Sequence, residues 1–213
     1  MKKIVIAVLS VLLLAGIGTA AYLLLRPEPE PMPFPQLIKV PQFPEDRAGT
    51  YPPAYQITGE NFIYHQGENQ CAGYSGAYLL RHLGQEVDGP ALDERLARLS
   101  PQTGVMPERL VRVLGEYDVK AAAYRGTLES LKTRVAEGVP VIVLIGEGAA
   151  WQHYAPVTGY DGEHIYLADP SGEETGEDYN SILTTAEFLD QWDNGLPGYA
   201  NLYIITKGTE KTA

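Results

Sequence analysis

One cysteine, four histidines and 27 carboxylates are the side chains from which this 213-residue chain could assemble covalent chemistry. With a single thiol, Cys71 is inert packing, an intermolecular link or a nucleophile, because a disulfide framework and cysteine-based zinc or iron–sulfur sites all need several thiolates. Its setting, Gln66-Gly67-Glu68-Asn69-Gln70-Cys71-Ala72-Gly73-Tyr74, places it in the first turn of a helix. Unpaired backbone N–H groups and the helix dipole favour thiolate over thiol there. His153 opens an apolar segment that runs to Tyr160, and Asp169 precedes Pro170 sixteen residues later. A thiol, a base that takes its proton and a carboxylate that fixes the imidazole tautomer are the three parts of an activated-nucleophile site. Singly, each has an ordinary structural reading: a small buried residue, a surface or capping imidazole, a turn initiator before proline.

The elements that must position these residues run helices first, strands later. Asn69 is the expected N-cap of a helix from Gln70 to Leu83, whose small residues Ala72, Gly73, Ser75, Gly76 and Ala77 suit close packing on a sheet, with Gly84 closing it. Further helices are expected at Pro90 to Leu99, Pro107 to Tyr117, Leu128 to Glu137 and Thr185 to Trp192. Val139 to Ile145 is a β-branched apolar run between glycines and reads as a central strand. His153 to Gly159 and His164 to Ala168 flank Asp161-Gly162, a hairpin signal, and Leu202 to Thr206 is the last strand. The fold class is α+β, with N-terminal helices packed on an antiparallel sheet. For His153 to meet Asp169, the hairpin must close with a three-residue loop, Tyr160-Asp161-Gly162. Gly162 is then left-handed, Gly159 lies opposite Glu163, and His153 lies opposite Asp169.

The Gln66 to Tyr74 segment, His153-Tyr154-Ala155-Pro156-Val157-Thr158-Gly159-Tyr160-Asp161, and Ala168-Asp169-Pro170 together resemble the C39-like branch of papain-type cysteine peptidases. Ala186-Glu187-Phe188-Leu189 with Trp192 extends the likeness, which covers roughly residues 63 to 206. The resemblance implies a papain-like fold, hydrolysis of peptide or amide bonds through an acyl-enzyme, and catalytic roles for Cys71, His153 and Asp169. It also implies an oxyanion-hole glutamine. That residue usually lies six positions before the cysteine, where this chain has His65; the nearest glutamine, Gln66, is five before and takes the role here. Trp151, two residues before His153, is the candidate wall of a substrate cleft. C39 domains are often fused to peptide-exporting ATPases, but no G-x-x-x-x-G-K-[ST] sequence occurs, so cleavage of double-glycine leaders by a transporter domain does not carry over. A peptidoglycan amidase or endopeptidase of the CHAP or NlpC/P60 type is the alternative enzyme. A tethered binding module of the same fold is the alternative without turnover.

The other histidines take bland readings: His82 on last-turn carbonyls, His164 pairing across the hairpin, His65 as a second base only in the sharper reading. Glu173, Glu174, Glu177 and Asp178 lack the order of a calcium loop, and neither a metal nor any other cofactor is expected. Sixteen basic against 27 acidic residues give a net charge of −11, which argues against a nucleic-acid partner. The expected partner is a peptide or peptidoglycan-type substrate.

Ahead of the catalytic segment, Ile4 to Leu25 is an uncharged, largely apolar run of 22 residues after Lys2 and Lys3. At 1.5 Å per residue it can span a bilayer core of about 30 Å. We therefore expect a single transmembrane signal anchor over residues 1–26, with the lysines inside and the remainder extracytoplasmic in a bacterial cell. Cleavage after Gly18-Thr19-Ala20 is the competing reading. Residues 27–54 hold nine of the sixteen prolines and read as an extended polyproline stalk. The peptidase domain is expected over 55–208 and a tail over 209–213.

Overall fold

The computed structural model describes residues 40–96 and 104–206. The expected anchor, the stalk up to residue 39 and the expected tail lie outside the described residues, and among the described residues no helix is long and apolar enough to cross a membrane.

Seven strands and five helices make the described unit. The strands are β1 (Tyr55–Gln56), β2 (Ala121–Arg125), β3 (Val141–Glu147), β4 (Trp151–Tyr160), β5 (His164–Leu167), β6 (Ser181–Thr184) and β7 (Leu202–Thr206). The helices are α1 (Cys71–His82), α2 (Gly89–Arg95), α3 (Pro107–Gly115), α4 (Leu128–Val135) and α5 (Thr185–Asp193). The sheet runs β2-β7-β3-β4-β5-β6 with every pair antiparallel, and β1 pairs with the far end of β4.

Helices cover both faces of this sheet rather than one, and the alternation along β3 shows how. Ile142 and Leu144 join Leu79, Leu80, Leu92, Leu110 and Leu114 of α1 to α3. Val141, Val143 and Ile145 join Leu131 and Val135 of α4 and Phe188 and Trp192 of α5. A strand buried on both faces loses the polar half of its pattern, and β3 accordingly reads as a continuous apolar run.

Of the small residues of α1, Ser75 meets the sheet, its hydroxyl donating to Tyr154 O at 2.8 Å, while Gly73 and Gly76 meet a helix. A Cβ on Gly73 would lie 2.5 Å from the Cβ and 2.8 Å from the Cα of Asp93, and one on Gly76 would lie 2.5 Å from Leu92 Cδ2. Close approach of α2 to α1 therefore depends on these two glycines.

The packed unit also takes in residues ahead of the expected boundary at Tyr55. Asp46 accepts from Arg134 Nε and Nη2, both at 2.7 Å, and from the Tyr203 hydroxyl at 2.6 Å. Those bonds, the guanidinium's foremost, hold the Asp46 carboxyl below the usual range. The backbone at Glu45 forms an isolated parallel β-bridge with Arg125 at the β2 edge.

The hairpin differs from its expected form. Gly162 is not left-handed. The pairs are Tyr160 with Ile165 and Gly159 with Tyr166, and Asp161 N–H donates to His164 O at 3.0 Å, so the loop lies further along the chain than expected; the register then shifts at Thr158 so that Val157 faces Leu167. The cause lies in the Asp161 side chain, which accepts from the backbone N–H groups of Glu163 and His164, both at 2.7 Å. An Asx turn of this kind holds the loop without a positive-φ glycine. Ala168 N–H donates to Pro156 O at 2.9 Å, so the ladder continues at the shifted register. One residue further, that register sets Asp169 beside Ala155, a diagonal step from His153 on the same face rather than directly opposite it.

Candidate active site

Cys71 is the first residue of α1, as the sequence predicts, but the cap is not Asn69. The cap position belongs to Gln70, and Asn69 is left-handed with φ 60°. Gln70 N–H donates to Gly67 O at 3.3 Å, and the Gln70 side-chain oxygen accepts from Gly67 N–H at 3.0 Å, closing a tight turn over residues 67–70. That turn delivers the half-buried cysteine to the helix end, where first-turn N–H groups lie without helical partners.

His153 is 3% exposed, and its Nε2–H donates to Asp169 Oδ1 at 2.7 Å. Cys71 interacts with the same imidazole, and with Nε2 engaged by Asp169 the ring nitrogen left for the sulfur is Nδ1. Burial pushes the imidazole down. The bonds to Asp169 and Cys71 and the charges on those two groups outweigh that, and the pKa rises to about 9. Burial likewise pushes the Asp169 carboxyl up, but the bonds to His153 and Ser171 leave it lowered. Its Oδ1 also accepts from the Ser171 N–H at 2.8 Å and the Ser171 hydroxyl at 2.7 Å. The arrangement can hold a cysteine beside a charged imidazole whose far nitrogen is fixed by a carboxylate.

Trp151, 46% exposed, stacks on the His153 ring with centroids 5.6 Å apart and planes at 18°. Gln66 lies beside the acid loop, because its N–H donates to Pro170 O at 2.8 Å. Its side-chain oxygen is buried without a hydrogen-bond partner.

The other histidines stand elsewhere. His65 places Nδ1 2.9 Å from Gly172 O, which makes that nitrogen the donor to the acid loop. His82 reaches Gly138 O at 2.9 Å, tying the end of α1 to the loop before β3. His164 stays within the turn, beside Asp161 at 3.3 Å. Glu174 accepts from His65 N–H at 3.1 Å, and among the described residues no group of three or more histidine, cysteine or carboxylate side chains gathers to hold a metal.

Sequence reasoning missed two residues that shape the site. Ser171 was legible as a hydroxyl two residues after an Asp-Pro step, a short-range partner for the carboxylate. Asn180 carried no signal, because ten residues of acidic, glycine-containing sequence separate it from Asp169.

The family model described as the Peptidase_C39 like family matches residues 49–195. No protein of curated function matches the chain. Among solved structures, a double glycine motif protease from an AMS/PCAT transporter, in complex with its leader peptide, is 18% identical. It covers 72% of this chain and 94% of its own, with a TM-score of 0.54. The peptidase domain of Streptococcus ComA, a bifunctional ABC transporter of a quorum-sensing pathway, is 15% identical over 71% of this chain and 100% of its own (TM-score 0.53). A chain described as a C39-like peptidase from Bacillus anthracis is 19% identical over 81% of this chain and 96% of its own (TM-score 0.56). At these identities the three structures carry the fold.

Proposed function

Because the chain belongs to the Peptidase_C39 like family and is a cysteine peptidase, we propose that Cys71, His153 and Asp169 form its catalytic triad and act on a peptide or other amide. The observation that carries this reading is the bond from buried His153 Nε2–H to Asp169 Oδ1 at 2.7 Å, on an imidazole with which Cys71 also interacts. In the proposed cycle the Cys71 sulfur attacks the substrate carbonyl and forms the C–S bond. The His153 imidazolium gives its proton to the leaving amine as the C–N bond breaks. The now neutral imidazole takes a proton from water, whose oxygen attacks the thioester, and Cys71 is released with the acid product. Asp169 keeps the proton on Nε2, so Nδ1 is the nitrogen that exchanges protons with sulfur, amine and water.

Gln66 and the Cys71 backbone N–H are the proposed oxyanion donors. The Gln66 N–H bond to Pro170 O, which seats that residue beside the acid loop, supports this reading. Trp151 is the proposed cleft wall, supported by its exposure beside the His153 ring. We expect Gln66→Ala to lower kcat by about 10²-fold with KM little changed, the signature of a donor used in the transition state. Trp151→Ala should instead raise KM. Steady-state kinetics that reverse this split would exchange or remove the two roles.

The deciding experiment is turnover of peptide libraries and of purified peptidoglycan by the full chain, with iodoacetamide and a fluorophosphonate as inhibitors. Thiol-dependent peptide cleavage supports the peptidase; thiol-dependent release of peptidoglycan fragments alone favours the cell-wall enzyme. Absence of turnover on both, with Cys71 intact, would leave the binding module.

The apolar run from Ile4 to Leu25 behind Lys2 and Lys3 supports retention of the chain as a single-pass membrane protein with the peptidase outside a bacterial cell. Protease added to intact cells should release the domain and leave a membrane-bound stub. Recovery of a soluble protein beginning near Ala21 would show instead that the segment is removed.

A further inference from the structure

We infer that Asn180 is a positioning residue of the active site, holding the backbone on both sides of Asp169 so that one loop sets the acid for His153 and carries the segment before Cys71. This rests on the triad reading.

Asn180 is placed by the sheet, since its N–H donates to Leu167 O at 3.1 Å and extends the pairing of β5 with β6. From there the side chain reaches the acid loop. Its Oδ1 accepts from Asp169 N–H at 2.7 Å, and its Nδ2 donates to Asp169 O and Glu173 O, both at 2.8 Å. A primary amide offers one acceptor and two donor hydrogens, and all three functions meet backbone of the same five-residue loop. An aspartate would lack the donors, and an aliphatic residue would leave three backbone groups without these partners.

The geometry has consequences in two directions. Toward β4, fixing both the N–H and the C=O of Asp169 fixes where its carboxylate points, and Oδ1 meets His153 Nε2. Toward α1, the same loop presents Pro170 O to Gln66 N–H at 2.8 Å and Gly172 O to His65 Nδ1 at 2.9 Å. The acid and the proposed oxyanion glutamine are thereby referred to one frame. The frame is tight: a Cβ on Gly172 would lie 2.6 Å from Asn180 Nδ2 and 3.3 Å from Asp169 O. Gly172→Ala therefore disturbs the same clamp from the loop side.

The test follows the His153 titration by NMR, because the groups bonded to that imidazole are Asp169 and Cys71 and the readout does not require turnover. In Asn180→Ala and in Gly172→Ala the midpoint should fall from about 9 toward the ordinary imidazole value of 6.5. Where peptide turnover is established, kcat/KM should drop about 10²-fold with it, the cost of a misplaced catalytic group. In an Asp169→Ala background, adding Asn180→Ala should shift the His153 midpoint no further, since the effect travels through Asp169. A wild-type midpoint in both single variants would overturn the inference. So would an equal shift from Asn180→Ala with and without Asp169. A failure of the peptidase reading would instead appear as absent turnover by the wild-type chain, with these titrations unaffected.

Discussion

Cys71→Ser should lower peptide hydrolysis by on the order of 10⁴-fold or more while the chain remains folded. Serine keeps the shape and one hydrogen-bonding group at a half-buried position, so packing around the start of α1 is nearly preserved. The nucleophile changes, however. A hydroxyl is far less acidic than a thiol, and a site that stabilises a sulfur beside an imidazolium offers it no comparable activation. In the wild-type chain iodoacetamide should label Cys71 much faster than it labels free cysteine at neutral pH, because the imidazolium lies against the sulfur and the residue heads its helix. His153→Ala should slow that labelling as well as the turnover. Mass spectrometry of the labelled chain and steady-state kinetics check both. Slow labelling of the folded wild-type chain would remove Cys71 as the nucleophile.

How far these residues could be read from sequence depends on the range of the interactions involved. Cys71 at a helix start was legible because a turn and a helix terminus are local. The contact between His153 and Asp169 was legible because two strands joined by a short turn leave few registers to consider. The details of that hairpin were not legible. An Asx turn at Asp161, with Lys132 Nζ donating to Asp161 O at 3.0 Å, and a shift at Thr158 achieve the contact that a left-handed Gly162 was expected to achieve. Both routes satisfy the same end point, so the sequence pattern did not separate them. The strand Ala121–Arg125 was missed for another reason. Alanine has little strand preference, and its place comes from pairing with Leu202–Thr206, 77 to 85 residues away along its whole length. Asp46, inside the expected stalk, shows the same limit: its partners Arg134 and Tyr203 lie 88 and 157 residues away.

Asp169→Ala should lower kcat/KM by on the order of 10³–10⁴-fold at neutral pH, and should draw the alkaline limb of the pH profile downward. Two opposing effects act on His153. Burial favours the neutral ring, and the bond to Asp169 leads the interactions that favour the charged one; the balance in the intact site raises the pKa to about 9. The folded value thus exceeds the ordinary 6.5, so His153 contributes stability fully below about 6.5 and loses it as pH rises through about 9. Asp169 has the opposite sign. Its folded value is lowered from 3.8, so its contribution is present above that pH and is lost as pH falls through the folded value. Protonated His153 is the proposed donor to the leaving amine, and wild-type kcat/KM should therefore hold on the alkaline side until about pH 9. Without the carboxylate, burial meets less opposition, the ring discharges at lower pH, and Nε2 no longer has the partner that fixed its tautomer. Profiles of kcat/KM from pH 5 to 10 for both proteins make the comparison, with thermal unfolding across the same range as a second measure. An alkaline limb that stays near pH 9 in the variant would mean that Cys71 alone keeps the imidazole charged, and that Asp169 acts only through orientation.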